Sequence, residues 1–405
     1  MQAPQHAAIR WAAWYGDSDL ALEFPAGWEV TWCPPQDAED VGDEAVVRAL
    51  REPIGTAPLA ELAAGRRSPC IVVDDLSRPT PAGRIVPAIL DELAVAGIAP
   101  RDVLVLMGIA NHRPMERGDL LKKLGPRVLD ECRVLNHDSS AGCRPVGTTS
   151  RGTPVEINAQ YLEADLRLLV GAIIPHAGTG YSGGAKLLLP GVASIAAAEA
   201  FHRGPAAEGR YADVGVPARL DAEEAARIAG VDAIVNVVPT SRRGIAGIFV
   251  GDVVDAHRAG AARAAEVFAT PDPGPADVCV LSLYPKDAEW LQHLTAFAPY
   301  RTAGHPLVRE GGTVVVALSG TEGTGFHGLF SPGRPLAATR ATRLRERDLV
   351  FFSPGLDRAD IPPAAREATV LHRTWPDAVA WLTAKHGPSA RVSVFPCATT
   401  QLARN

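Results

Sequence analysis

The feature that most constrains this chain is a recurring pattern of short apolar runs, each followed by a polar loop and a helical stretch. The strongest run is LRLLVGAII at residues 166–174. Runs this short and this apolar suit a parallel strand buried on both faces. PCIVVD (69–74) and DVLVLMG (102–108) have the same character. Helices are expected at 82–96, through 120–124 and over 194–203. The segment TPDPGPA (270–276) carries three prolines and reads as a linker. Beyond it the alternation restarts with DVCVLSL (277–283), GTVVVALS (312–319), 349–352 and 391–395. Strands alternating with helices predict parallel βαβ units. The expected fold is therefore α/β: two α/β domains with mainly parallel sheets and a site in the cleft between them. The expected bounds are 1–270, a linker at 271–276, and 277–405.

Composition removes several function classes. The chain has 405 residues, 47% of them hydrophobic, and a net charge of -6. A nucleic-acid partner would call for a basic stripe, which is absent. No run approaches the ~20 apolar residues of a membrane span. The N-terminus lacks the basic-then-apolar layout of a signal peptide. A soluble, cytoplasmic protein without a membrane partner is expected. The six cysteines form no CxxC pair and read as buried free thiols. The Arg-rich stretch at 339–347 reads as a solvated helix face.

Three polar clusters fall where strands should end, the usual ligand position in an open parallel sheet. In HAGTGYSGGAK (176–186) the glycines would let backbone N–H groups surround an anion. Ser182 could donate a hydroxyl, and Lys186 could meet a phosphate or act as a nucleophile. A glycine-rich turn with a surface lysine is the plainer alternative. In DDLSRPTP (74–81), Asp75 and Arg78 could hold a carboxylate substrate or pair with each other. His112, in the loop ANHRP, is a general-base candidate. Outside these clusters, His202 lies in an Ala-rich helix and is a candidate metal ligand without an HxxxH partner, or a structural histidine. The His137-Asp138 pair suits a structural hydrogen bond.

Together these stretches resemble the lactate racemase family that uses a nickel-pincer nucleotide. The matching segments are DDLSRPTP, NHRPM (111–115), HD (137–138), GTTSRGTPVEIN (147–158) and PHAGTGYSGGAKLLLPGVAS (175–194), followed by His202. The resemblance implies that Lys186 holds the cofactor covalently through a thioamide. His202 would be the protein's one nickel ligand, and Ser182, Gly183 and Gly184 would cradle the nucleotide phosphate. His112 and His176 would be paired acid–bases. Arg78 would orient the substrate carboxylate, and Asp75 would support a histidine or the cofactor. The N-terminal domain would then bind the cofactor and carry the catalysis, and the C-terminal one would close on the substrate.

The implied reaction inverts the carbinol carbon of a 2-hydroxy acid, by hydride transfer to and from the cofactor through a planar 2-keto acid. Proteins that synthesise the cofactor are the implied partners. Gln292 matches a substrate-binding position. Leu291 stands where the family has Tyr, and Thr295 where it has Lys, so a substrate other than lactate is expected. Lys286 and His293 lie beside them without an assigned role. The alternatives are a different redox or elimination step with the same cofactor, or a non-catalytic nucleotide- or sugar-acid-binding protein.

Overall fold

The structure is a computed structural model and describes residues 5–337, 347–367 and 369–404. All of the Arg-rich stretch except Arg347 lies outside the described residues. The chain divides into two compact units, one of residues 38–267 and one of residues 1–37 with 268–405.

In the 38–267 unit, six strands form one sheet. Their order is Ile245–Gly251, Ala233–Pro239, Leu166–Ala172, Pro69–Asp74, Leu104–Gly108 and Arg133–Asn136. All neighbours are parallel except the first pair. Every residue of Pro69–Asp74 is buried, as its continuous apolar pattern requires. Its Cys70 and Val72 join Leu106 and Leu169 in a core that extends under the Ala-rich helix Pro217–Ala229. The expected strand at 102–108 begins at Leu104, because Pro100–Asp102 forms a 3-10 turn. The helix expected through 120–124 runs over Arg117–Glu131 and kinks at Gly125, whose φ is 76°.

The other unit has a six-stranded, wholly parallel sheet. Its order is Val370–His372, Asp348–Phe352, Val308–Ala317, Ala276–Ser282, Arg391–Phe395 and Glu29–Trp32. The Ala276–Ser282 strand feeds two cores in alternation. Cys279 and Leu281 face one, and Val278 and Val280 the other. The edge strand Glu29–Trp32 comes from the start of the chain and pairs with Arg391–Val394. A domain running from 1 to 270 was expected; instead residues 1–37 group with the later unit, because this long-range pairing leaves no local signature. Within the expected linker, Ala269–Pro271 pairs in parallel with Leu402–Arg404.

Among the described residues no helix is long and apolar enough to cross a membrane. All six cysteines are free; Cys33, Cys70, Cys279 and Cys397 are buried, whereas Cys132 and Cys143 are only partly so.

Candidate active site

In the 38–267 unit the strand order reverses around Pro69–Asp74, with Leu104–Gly108 on one side and Leu166–Ala172 on the other. Ligands of such sheets sit at this reversal, beyond the carboxyl ends. Asp74 ends its strand, and Asp75, His112 and His176 lie just past these ends.

The 75–81 loop is held from beneath by Lys123, a residue the sequence did not single out. Lys123 is 1% exposed. Its Nζ lies 2.7 Å from Asp74 Oδ1 and donates to the carbonyls of Asp75 (2.8 Å) and Arg78 (3.0 Å). Asp74 Oδ2 accepts from Thr80 Oγ1 and from Ala172 N, which ties the loop to the next strand. A buried cation needs such partners, and removing one member of a buried pair typically costs about 3–5 kcal/mol.

Above Lys123, Asp75 Oδ2 accepts from His112 Nδ1, and its Oδ1 accepts from Ser77 N. Arg78 donates to Ser77 Oγ at 2.8 Å. Burial alone would raise the Asp75 pKa. His112, Arg78 and Ser77 outweigh it and hold the carboxyl well below the usual range. Asp75 is thus paired with His112. Beside His112, Ala110 adopts φ +51° and both amide atoms of buried Asn111 lack a hydrogen-bond partner.

His176 opens a tight hairpin in which Pro175–His176 pairs with Gly180–Tyr181. Its Nδ1 accepts from the N–H groups of Gly178 (3.1 Å) and Thr179 (3.3 Å). The turn that follows is anchored from inside by Arg219, which has no exposed surface. The Arg219 guanidinium donates to the carbonyls of Thr179, Tyr181 and Gly183. His257 donates to Ser182 O, and Asn236 Oδ1 accepts from Gly184 N at 2.6 Å.

This anchoring engages two of the groups expected to cradle a phosphate, Ser182 Oγ and Gly184 N. The Ser182 hydroxyl donates to Ala172 O and accepts from Ile174 N, so it is spent in the fold. The Gly184 N–H is likewise turned inward. A Cβ on Gly183 would lie 2.7 Å from Asn236 Oδ1, and one on Gly184 2.8 Å from His257 Cδ2. These glycines permit close packing on the inner side of the turn. Arg219, Asn236 and His257 were not found from the sequence, since nothing local marks a residue that acts 35 or more positions away.

Lys186 lies in the 3-10 turn Gly184–Leu187 and is partly buried. Burial and the cations Arg78 and Arg219 push its ammonium pKa well below the usual value, against the pull of Asp75 and Asp74. A neutral amine is the nucleophilic form. His202 is near the end of the Ile195–Arg203 helix, and its Nδ1 donates to Ala198 O at 2.7 Å. That leaves the lone pair on Nε2, the usual arrangement for a metal-ligating histidine. The segment after this helix packs on the His176 turn, with Gly209 against Ala177 and Gly178. Among the described residues no three His, Cys, Asp or Glu side chains gather as a metal site. His137 is buried and structural, donating from Nε2 to Ala193 O and accepting at Nδ1 from Asn158.

Gln292 belongs to the other unit. It is buried in the 3-10 helix Trp290–Phe297, and its Nε2 donates to Glu289. Leu291 is buried, and the Thr295 hydroxyl donates back to Gln292 O. His293 donates to Trp290 O and its ring lies 4.2 Å from that of Trp290. Lys286 is 4% exposed.

The fold and site define a parallel α/β protein with an Asp–His pair, a second histidine and a pKa-lowered lysine near one strand-order reversal. Residues 15–213 match the lactate racemase N-terminal domain. The chain is 33% identical to a lactate racemase of Thermoanaerobacterium thermosaccharolyticum over 78% of its length and 76% of that protein's. It is 31% identical to a lactate racemase of Lactiplantibacillus plantarum, over 71% and 68% of the two lengths. Its fold is similar to the T. thermosaccharolyticum lactate racemase apoprotein, with a TM-score of 0.76 at 25% identity, covering 99% of this chain and 100% of that one. The chain belongs to the lactate racemase family.

Proposed function

We propose that this protein is a racemase or epimerase that inverts the carbinol carbon of a 2-hydroxy acid, with a nickel-pincer nucleotide tethered to Lys186. The observation that carries this is the state of Lys186: a lysine beside two arginines, held toward its neutral, acylatable form. The donor set fits the cofactor. Lys186 would hold it covalently, and His202 would offer Nε2 to nickel as the protein's ligand. When bound, the cofactor supplies the hydride acceptor and donor at the carbinol carbon.

The chain's own residues do the remainder. Arg78 would orient the substrate carboxylate, because a guanidinium offers a paired-donor fork. His112 and His176 would handle the hydroxyl proton, with Asp75 stabilising the His112 imidazolium. A substrate other than lactate is supported by buried Leu291 and self-bonded Thr295, neither of which supplies a cation. Cofactor-synthesis proteins are the partners this reading requires.

The test is intact mass and nickel content after co-expression with cofactor-making enzymes. An adduct lost in Lys186→Ala is expected. An unmodified Lys186 without nickel would overturn the proposal. Both enantiomers of a 2-hydroxy acid panel, followed by chiral chromatography, would then identify the substrate.

A further inference from the structure

His112 and Lys123 lie on one continuous segment, a strand-end loop and the Arg117–Glu131 helix that follows it. Arg113 Nη1 donates to Asp119 Oδ2 at 2.6 Å, which locks the start of the helix to the His112 loop. This segment meets the Asp75 loop twice: the His112 ring on the Asp75 carboxylate, and the Lys123 ammonium on the Asp75 carbonyl. Two attachments fix an orientation that one would leave free to swing. The same ammonium donates to Arg78 O, and Arg78 N donates to Asp75 O at 3.2 Å, closing the turn. Lys123 therefore holds both ends of the turn that separates the partner of His112 from Arg78. Asp74, its ion-pair partner, accepts from Ala172 N, and Ala172 O accepts from Ser182 Oγ at 2.6 Å. That line of bonds runs on to the turn that carries Lys186. Stability is a poor reason for an ammonium here. An apolar side chain of similar volume in place of a buried ion pair is often no less stable. What it lacks is the set of donors that holds two carbonyls and a carboxylate at fixed separations.

We propose that Lys123 is a positioning residue for the reaction: it sets where Asp75 meets His112 and how far Arg78 stands from that pair. This rests on the racemase reading, in which His112 handles the hydroxyl proton and Arg78 the carboxylate of one small substrate. Those two groups sit on neighbouring carbons, so their protein partners must keep a fixed spacing. A displacement of about 1 Å can cost on the order of 100-fold in rate. Lys123 touches no substrate in this account and acts only through the loop it holds.

The test uses the full chain with Lys123→Met and Asp74→Asn together, which removes both charges and leaves no buried carboxylate unpaired. Lys123→Gln keeps an amide donor, should lose less, and serves if the double variant does not fold. Val128→Ala, buried in the same helix, is the control: it weakens packing and leaves the bonds of Lys123 in place. The first readout is the hydrogen shared by His112 and Asp75, seen by 1H–15N spectroscopy on chain labelled at histidine nitrogens and assigned by its absence in His112→Gln. It should be present in wild type and Val128→Ala, and lost or shifted in the double variant. A signal unchanged in the double variant, absent from wild type, or lost equally in Val128→Ala would overturn the proposal. The second readout is turnover per mole of Lys186 adduct. In the double variant kcat should fall about 100-fold and KM should rise, because Arg78 moves with the loop. Unchanged kcat and KM would also overturn it. If wild type carries no adduct and inverts nothing, the racemase reading fails, while the signal still decides whether Lys123 sets the Asp75–His112 contact.

Discussion

Asp75 and Asp287 occupy similar places in the two units, yet burial affects them with opposite results. Each is buried and follows the strand at which its sheet reverses order, Pro69–Asp74 in one unit and Ala276–Ser282 in the other. Asp75 meets His112 and Arg78 and is driven below the usual carboxylate range. Asp287 meets the backbone N–H groups of Ala12 and Ala13. Burial dominates there, and its pKa is pushed up to about 6. The first carboxylate holds His112. The second pins the N-terminal segment to the sheet. The same architecture thus carries a chemical site in one unit and a structural clasp in the other, decided by which side chains the loops supply.

The comparison breaks hardest at Lys123. Replacing it with Met should cost about 3–5 kcal/mol, because Asp74 is left buried without its cation. Urea denaturation should show this loss in the 38–267 unit. A loss below 1 kcal/mol would mean that the loop under Asp75 does not depend on that pair. Arg219→Gln should cost at least ~3 kcal/mol, since three carbonyls lose a charged donor. It should also reduce cofactor loading as read by intact mass.

The pH dependence of stability sharpens the contrast, because its sign differs between the two acids. Asp75 binds a proton more weakly folded than unfolded. Its contribution is present above the unfolded pKa of ~3.9 and is lost as pH falls toward the folded value. Asp75→Asn should flatten acid unfolding below about pH 4. Asp287 binds a proton more tightly when folded. Its contribution is present below pH ~4 and is lost as pH rises through about 6, by on the order of 3 kcal/mol. Asp287→Asn should remove that decline between pH 4 and 6 in thermal melts. A wild-type-like slope in either variant would contradict the corresponding assignment. The smallest effect is expected at Gln292→Ala, whose amide donates to Glu289, the residue just before its 3-10 helix. Stability should change by about 1 kcal/mol or less. If Gln292 contacts substrate, KM should rise more than kcat falls.

Much of the 38–267 unit was legible in the sequence. Pro69–Asp74 was bounded to the residue, and the strand at 166–174 was placed to within two residues of its end. Parallel strands buried on both faces announce themselves as unbroken apolar runs. The strand-end positions of Asp75, His112 and His176 followed from the same alternation. Residues 1–37 were misplaced, because a four-residue edge strand with an exposed pattern resembles a loop. The Ser182–Gly184 turn was recognised as special, but not the bonds that Ser182 Oγ and Gly184 N make within the protein. Composition marks a glycine-rich turn without saying which side faces the protein.

The chain by itself determined its α/β class, the spacing of Lys186 and His202, and the chemistry that its strand ends could display. These depend on local periodicity and residue type. Only the tertiary structure decided that Lys123 and Arg219 underlie the site and that Asp75 holds His112. Those outcomes depend on partners tens of residues away in sequence. A hydrogen bond is fixed by where folding places its donor and acceptor, and no stretch of sequence specifies that alone.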